Sequence, residues 1–89
     1  MTMHQNEQLT LAEMRTGQTG TVVGVLGGHG LIRRLDALGI RPRKKVTKIS
    51  SMLFRGPVIL RVDSAQVAVG YGMARKIRVQ VDMYLPRPS

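Results

Sequence analysis

The apolar residues of the chain change their spacing once, in the segment Gly28-His-Gly-Leu-Ile-Arg-Arg-Leu-Asp-Ala-Leu-Gly-Ile-Arg-Pro42. Leu31, Leu35 and Leu38 recur at i, i+4 and i+7, which is the spacing of one face of an α-helix. On either side of this segment, apolar residues alternate with polar ones as they do in strands. The sequence therefore predicts a mainly β structure with one helix of about nine residues, too short to be stable without packing of its leucine face.

The two ends of this helix are also encoded. Three glycines stand just before it: Gly27, Gly28 and Gly30. We expect them to let the chain turn, since glycine tolerates positive φ. At the other end, Gly39 suits a left-handed residue just past the helix, and Ile40 would then fold back onto the last turn. Pro42 prevents any continuation.

Composition limits the possible class of protein. A chain of 89 residues without cysteine makes one domain with no disulfide, no thiolate metal site and no thiol nucleophile. No apolar run approaches the ~20 residues needed to span a bilayer, and the polar N-terminus lacks the apolar core of a signal peptide. We expect a cytoplasmic protein, a monomer or weak homo-oligomer. Its net charge of +9 favours an anionic partner, whether nucleic acid, lipid headgroups or an acidic protein surface.

Alternating or β-branched segments predict about five short strands. They cover residues 19–26, 45–51, 58–63, 66–69 and 77–81. Gly24 suggests a bulge, and single helical turns are predicted at 9–14, where Thr10 and Glu13 match a capping box, and at 73–76. Such a series favours a small barrel or sandwich, because closing the sheet removes exposed edges. We expect the domain to cover residues 9–82, with flexible ends at 1–8 and 83–89.

The order of these elements resembles the FeoA family of bacterial ferrous iron transport, and the SH3-like domain of some iron-dependent repressors. The matching pieces are Leu9-Thr-Leu-Ala-Glu-Met14 before Gly17, Gly20-Thr-Val-Val, Leu35-x-x-Leu38-Gly39-Ile40-x-Pro42, Gly56-Pro57-Val58 and Ala74-Arg-Lys-Ile77. The resemblance covers roughly residues 9–81. It implies a small SH3-like β-barrel with one helix inserted after the first strand. It also implies a role in supporting FeoB, a membrane iron transporter with a GTPase domain.

Three departures from the family pattern carry local expectations. Arg43 stands where the family often has glycine, which favours a type I turn over a type II turn because arginine disfavours positive φ. Lys48 stands where an apolar strand residue is usual, so we expect its strand to be an edge or locally exposed. The segment Gly70-Tyr71-Gly72 replaces a more charged one.

No catalytic constellation can be proposed, because the five acids are scattered and the phosphate-loop pattern is absent. The glycine-rich segment 24–30 precedes a helix and could bind an anion through free N–H groups, but the helix needs such a turn in any case. His29 is a candidate ligand for a divalent transition metal such as iron or zinc. A strong site wants three or four clustered ligands, so we expect weak binding and no required cofactor.

Basic residues flank the predicted helix and its exit: Arg33, Arg34, Arg41, Arg43 and Lys44. They suit either a solvated face or docking on an acidic partner, since arginine pairs well with carboxylates. Leu53, Phe54 and Tyr71 could line a groove for an apolar peptide. We favour a non-enzymatic accessory protein that docks on the cytosolic GTPase domain of an FeoB-type transporter. A small nucleic-acid-binding barrel and a metal-responsive regulatory domain stay open, although only three aromatic residues are available to stack on bases.

Overall fold

The computed structural model describes residues 8–51 and 56–82. Residues 1–7 and 83–89, where flexible ends are expected, lie outside this part, as does most of the predicted turn at 53–57. The elements in chain order are β1 (Gln8–Thr10), β2 (Thr19–Val25), α1 (His29–Ala37), β3 (Lys45–Ser51), β4 (Val58–Val62), β5 (Ala65–Val69), α2 (Tyr71–Ala74) and β6 (Ile77–Val81). The fold is mainly β, as predicted, with one longer helix after the strand that begins at Thr19.

All six strands form one antiparallel sheet in the order β1-β6-β2-β3-β4-β5. The mainly β architecture agrees with the expected SH3-like class, but the sheet does not close into the expected barrel. Within the described residues β1 pairs only with β6 and β5 only with β4, so this sheet is open and has two edges. The described residues contain six strands rather than five, since most of β1 was predicted as part of a helical turn.

The segment at 8–14 combines a strand and a turn. Leu9 lies opposite Val79 in the β1–β6 pair. The predicted capping box follows directly: the Thr10 N–H donates to Glu13 Oε1 at 2.9 Å, and the Glu13 N–H donates to Thr10 Oγ1 at 3.3 Å. The box therefore marks the turn correctly, while the residues just before it extend into the sheet.

The other strands lie close to their predicted positions. The bounds of β3 and β6 agree with the predicted segments, and the bulge at Gly24 is confirmed by a register shift between Val22 and Gly24 in the β2–β6 pair. The second helix begins two residues earlier than predicted. The N–H groups of Met73 and Ala74 both donate to the Gly70 carbonyl, and Ala74 is fully buried, so packing at its end fixes this turn.

The core lies on one face of the sheet, and α1 contributes one fully buried side chain to it, Leu35. Leu35 is fully buried, Leu31 and Leu38 pack at its border, and the exposed side chains of α1 fall off this stripe as predicted. The main buried cluster also contains Leu11, Met14, Val22, Ile40, Val46, Val58, Leu60, Val62, Val69, Ala74, Ile77 and Val79. This core consists almost entirely of aliphatic side chains.

The C-terminal end of α1 is a Schellman motif, as predicted. Gly39 has φ +88°, its N–H donates to the Asp36 carbonyl at 2.9 Å, and the Ile40 N–H donates to the Leu35 carbonyl at 2.9 Å. Ile40 is buried beside the helix it closes. The glycines before α1 act differently from expectation, because none of Gly27, Gly28 and Gly30 has positive φ. A Cβ at Gly27 would lie 2.6 Å from Leu31 Cδ2, the end of a flexible side chain that can move aside, so space does not require glycine there either.

The turn after α1 corrects a second expectation. The Lys44 N–H donates to the Arg41 carbonyl at 3.1 Å and closes a four-residue turn, in which Arg43 is the third residue. Arg43 has φ +78°, which is type II geometry rather than type I. The cause is a backbone clamp on β2: the Arg43 N–H donates to the Val22 carbonyl at 2.8 Å, and the Val22 N–H donates to the Lys44 carbonyl at 2.9 Å. Tertiary hydrogen bonds therefore override the local preference of arginine.

Lys48 contradicts the expectation of an edge or exposed strand. Strand β3 lies between β2 and β4, and Lys48 is only 2% exposed. Its Nζ donates to the carbonyl oxygens of Leu11 at 3.1 Å, Ala12 at 3.2 Å and Met14 at 2.5 Å. Because burial removes water from the ammonium group, the pKa of Lys48 is lowered from its ordinary value of 10.5.

The strained turn predicts a stabilising substitution. Arg43→Gly should raise the free energy of unfolding by about 0.5–1 kcal/mol, because glycine relieves the left-handed backbone but adds unfolded-state entropy. Chemical denaturation measures the change. Arg41→Gly is the matched control, since Arg41 has no positive φ and should gain nothing. An equal gain in both variants would contradict the explanation.

The buried lysine predicts a loss of stability and a pH dependence. Lys48→Met should lower the free energy of unfolding by about 1–3 kcal/mol, because three carbonyls lose a donor. The pKa of Lys48 is lower in the folded chain, so the unfolded chain binds more protons between that pKa and 10.5. The wild type should therefore gain stability relative to Lys48→Met as pH rises through this window.

Denaturant titrations of both chains across alkaline pH measure this difference. Lys45→Met provides the control on the same strand, because Lys45 is exposed and pairs with Asp82 at the surface, where such pairs contribute about 0–1 kcal/mol. Parallel stability curves for the wild type and Lys48→Met would contradict the pH argument.

Candidate functional site

The exit of α1 carries five basic residues that we call the basic surface: Arg33, Arg34, Arg41, Arg43 and Lys44. The first two lie on the exposed face of α1, and the other three lie in the turn that leads into β3. All four arginines are exposed, while Lys44 is half-buried. Helix and turn are thus adjacent elements presenting like charge to solvent.

Two members of the basic surface already have acidic partners. Arg41 Nη1 lies 3.4 Å from Asp36 Oδ1, with both side chains about half exposed, so this pair contributes little free energy. Lys44 Nζ contacts both carboxylate oxygens of Asp63, at 3.0 and 2.8 Å. The Arg41–Asp36 pair joins the turn to α1, and the Lys44–Asp63 pair joins it to the turn between β4 and β5.

The other three members have no ion pair within residues 8–51 and 56–82: Arg33, Arg34 and Arg43. Arg43 is also held in place, because the clamp on Val22 fixes its backbone to β2. An arginine on a fixed backbone loses less freedom on binding than one on a mobile loop. These guanidinium groups are therefore available to an external anion, and at least one is pre-positioned.

Exposed apolar side chains lie close in sequence to this charge, and sequence reasoning missed them. Ile32 is 41% exposed and precedes Arg33 in α1, while Leu26 is 59% exposed just before the helix. Ile32 could have been found, because it falls off the stripe of Leu31, Leu35 and Leu38. The exposure of Leu26 could not be predicted, because it follows directly after β2, whose alternation is broken by the bulge at Gly24.

The predicted apolar groove is only partly described. Leu53 and Phe54 lie outside the described residues. Tyr71 begins α2 and is half-buried, and the guanidinium carbon of Arg75 lies 5.9 Å from the centre of its ring. This distance is within the range of a cation–π interaction, so the exposed ring face is partly covered by a cation.

His29 is the first residue of α1 and is exposed. Within the described ranges, no group of three or more His, Cys, Asp or Glu side chains could hold a metal ion. Asp36, the acid on the same helix, pairs with Arg41 instead. The weak divalent-metal site at His29 stays a prediction, with one imidazole as its basis.

One open cavity of about 590 Å³ lies away from the basic surface, between the turn before β2 and the end of β6. Its lining comprises Arg15, Thr16, Gly17, Gln18, Thr19, Val81 and Asp82. The carboxylate of Asp82 is engaged by Lys45 at 2.7 Å.

The comparison with protein families agrees with this architecture. The model of the FeoA domain matches residues 9–81, most of the chain. The chain belongs to the FeoA family. FeoA-family proteins are accessory proteins of Fe²⁺ transport, and the predicted resemblance is confirmed. A Methanocaldococcus jannaschii protein named Fe(2+) transport protein A is 33% identical over 70 residues, which cover 79% of this chain and 83% of that protein.

Solved structures give the same result. A crystal structure of an iron uptake regulatory protein, FeoA, superposes with a TM-score of 0.78 at 33% identity, covering 84% of this chain and 97% of that one. A manganese-dependent transcriptional repressor matches with a TM-score of 0.78 at 26% identity, but the match covers only 42% of its chain. The likeness to the repressor therefore concerns one part of a longer protein, at the level of fold.

Among the helices of residues 8–51 and 56–82, none has the length and apolar character needed to cross a membrane.

The position of His29 predicts weak metal binding. Added Zn²⁺ should shift the imidazole resonances of His29 without saturating at stoichiometric concentration, because a strong zinc site needs about four ligands. His29→Ala should lose this response in the same NMR titration. Asp36→Asn removes the acid on the same helix, which pairs with Arg41, and should leave the response unchanged. Tight, stoichiometric binding that survives in His29→Ala would show that the ligands lie elsewhere.

Proposed function

We propose that this protein is a non-enzymatic, cytoplasmic accessory protein of ferrous iron uptake that docks through its basic surface on the cytosolic GTPase domain of an FeoB-type transporter and modulates it. Membership of the FeoA family supports the link to Fe²⁺ transport. The observation that carries the docking proposal is the set of exposed arginines around the exit of α1 that lack an ion pair within the described chain.

The charges of the basic surface suit an acidic protein partner. The net charge of +9 attracts any polyanion over long range. Planar guanidinium groups such as those of Arg33 and Arg34 can each bind a carboxylate through two hydrogen bonds. Charge thus accounts for encounter and orientation, which is where electrostatic complementarity contributes most to association.

A stable complex also needs apolar contact, and Ile32 provides it beside the arginines. Its exposed side chain lies next to Arg33 on α1. Protein interfaces commonly combine a buried apolar centre with a charged rim. This combination of charge and apolar surface suits a protein partner.

Charge reversal tests the proposal directly. The soluble GTPase domain of the transporter from the same organism should bind the wild type, and the double variant Arg33→Glu/Arg34→Glu should weaken binding by about tenfold or more, since it replaces attraction with repulsion. Ile32→Asp should weaken binding as well. Isothermal titration calorimetry measures the dissociation constants.

The matched control is a pair of single variants: Arg15→Glu, in the exposed turn before β2, makes the same charge change as Arg33→Glu and should alter binding less than Arg33→Glu does. Random duplex DNA serves as a competing ligand. Micromolar affinity for DNA at physiological salt, with a steep salt dependence, would favour nucleic-acid binding instead. Binding of the GTPase domain that neither the double reversal nor Ile32→Asp weakens would contradict the assigned surface.

A further inference from the structure

Strand β5 is one edge of the sheet that the described residues form. Ala65–Val69 pairs with β4 on one side, and no other strand of the described chain adjoins it. No backbone hydrogen bond outside the β4–β5 ladder involves its five residues within the described part. A strand in this position can accept another strand through its outward N–H and C=O groups.

The register identifies which groups point outward. Asp63 and Ser64 form a two-residue turn between β4 and β5, and Val62 lies opposite Ala65. The pair that flanks a two-residue turn is hydrogen-bonded, and hydrogen-bonded pairs alternate along an antiparallel ladder. The N–H and C=O groups of Gln66 and Ala68 therefore point away from β4.

This edge lacks the features that usually protect one. Its sequence, Ala65-Gln-Val-Ala-Val69, contains no proline and no charged residue, and its pairing with β4 runs without a register shift. Natural sheets commonly protect edges with charge, proline, bulges or very short strands. The opposite edge follows that rule, since β1 has only three residues.

The charge beside this edge selects an acidic occupant. Arg61 lies opposite Gln66 in β4, is exposed, and forms no ion pair within residues 8–51 and 56–82. An added strand would lie two strand spacings, about 10 Å, from β4, within the combined reach of an arginine and a glutamate side chain. A second copy of the chain would bring another +9 to the same place, which opposes self-pairing.

We propose that β5 binds an extended, acidic segment of a protein partner as an additional antiparallel or parallel strand. The outward backbone groups of Gln66 and Ala68 hydrogen-bond the segment, and Arg61 pairs with its carboxylates. This inference rests on the proposed function only for the identity of the protein that supplies the segment. It adds a second contact surface, distinct from the basic surface around α1.

The test uses a blocked peptide of alternating Glu and Val, about six residues long, the usual length of a strand. Titrated into the isotopically labelled full chain, it should shift the amide resonances of residues 65–69 in a saturable manner. Ala68→Pro should weaken binding by about tenfold or more, because proline removes an outward donor without removing a bond to β4. Ala68→Thr keeps the donor and should bind as the wild type does.

Gln66→Pro is the second variant, used if Ala68→Pro loses the amide dispersion of the folded chain. Four results would overturn the inference: no saturable shift at 65–69, equal binding by the proline and threonine variants, equal binding of a Lys–Val peptide, or dimerisation of the free chain that the proline variant abolishes. A separate experiment titrates the transporter's GTPase domain into this protein. Peptide binding at β5 without binding of that domain would reject the proposed function and leave the strand-addition site intact.

Discussion

Burial of Leu35 and Ile40 against the sheet is the interaction on which the rest of this structure depends. A helix of nine residues has no stability of its own in water. The Schellman hydrogen bonds join Leu35 and Ile40 at one point in the core, so the helix end and the start of the following turn are fixed together. That junction determines where Arg43 meets β2, and hence which way the basic surface faces.

The sequence was most informative where local rules and packing agree. The helix end at Gly39, the bounds of β3 and the bulge at Gly24 all follow from residue type and spacing, because each satisfies a backbone requirement within a few residues. The prediction of a closed barrel was wrong for a different reason. Whether β5 meets another strand depends on sheet curvature and on strand lengths, and the β5 sequence alone carries no signal for either.

Two residues show how tertiary contacts overrule local preference. At Arg43, hydrogen bonds to Val22 hold a positive φ that arginine disfavours. At Lys48, three carbonyls of a turn more than 30 residues away in the chain accept from the ammonium group. A polar residue in an apolar strand position indicated exposure, because the carbonyl acceptors of Lys48 lie in a distant part of the sequence and only the fold brings them to it. Ile32 is the corresponding case at the candidate site, since its exposure depends on which helix face the sheet covers.

The contact between Lys48 and the segment Leu11–Met14 has an evolutionary consequence. An ammonium group at position 48 is tolerated only while the backbone of that segment presents its carbonyls inward. The carbonyls of Ala12 and Met14 depend on the lysine as their donor within the described residues, while that of Leu11 also accepts from the Met14 N–H. The two regions must therefore change together. Exchange of residues 10–15 with the loop of a relative that has an aliphatic residue at position 48 would leave either a buried cation or bare carbonyls, so the exchange would be accepted only with a compensating substitution. Within such a family, sequence variation at this strand position is constrained by loop conformation rather than by side-chain volume.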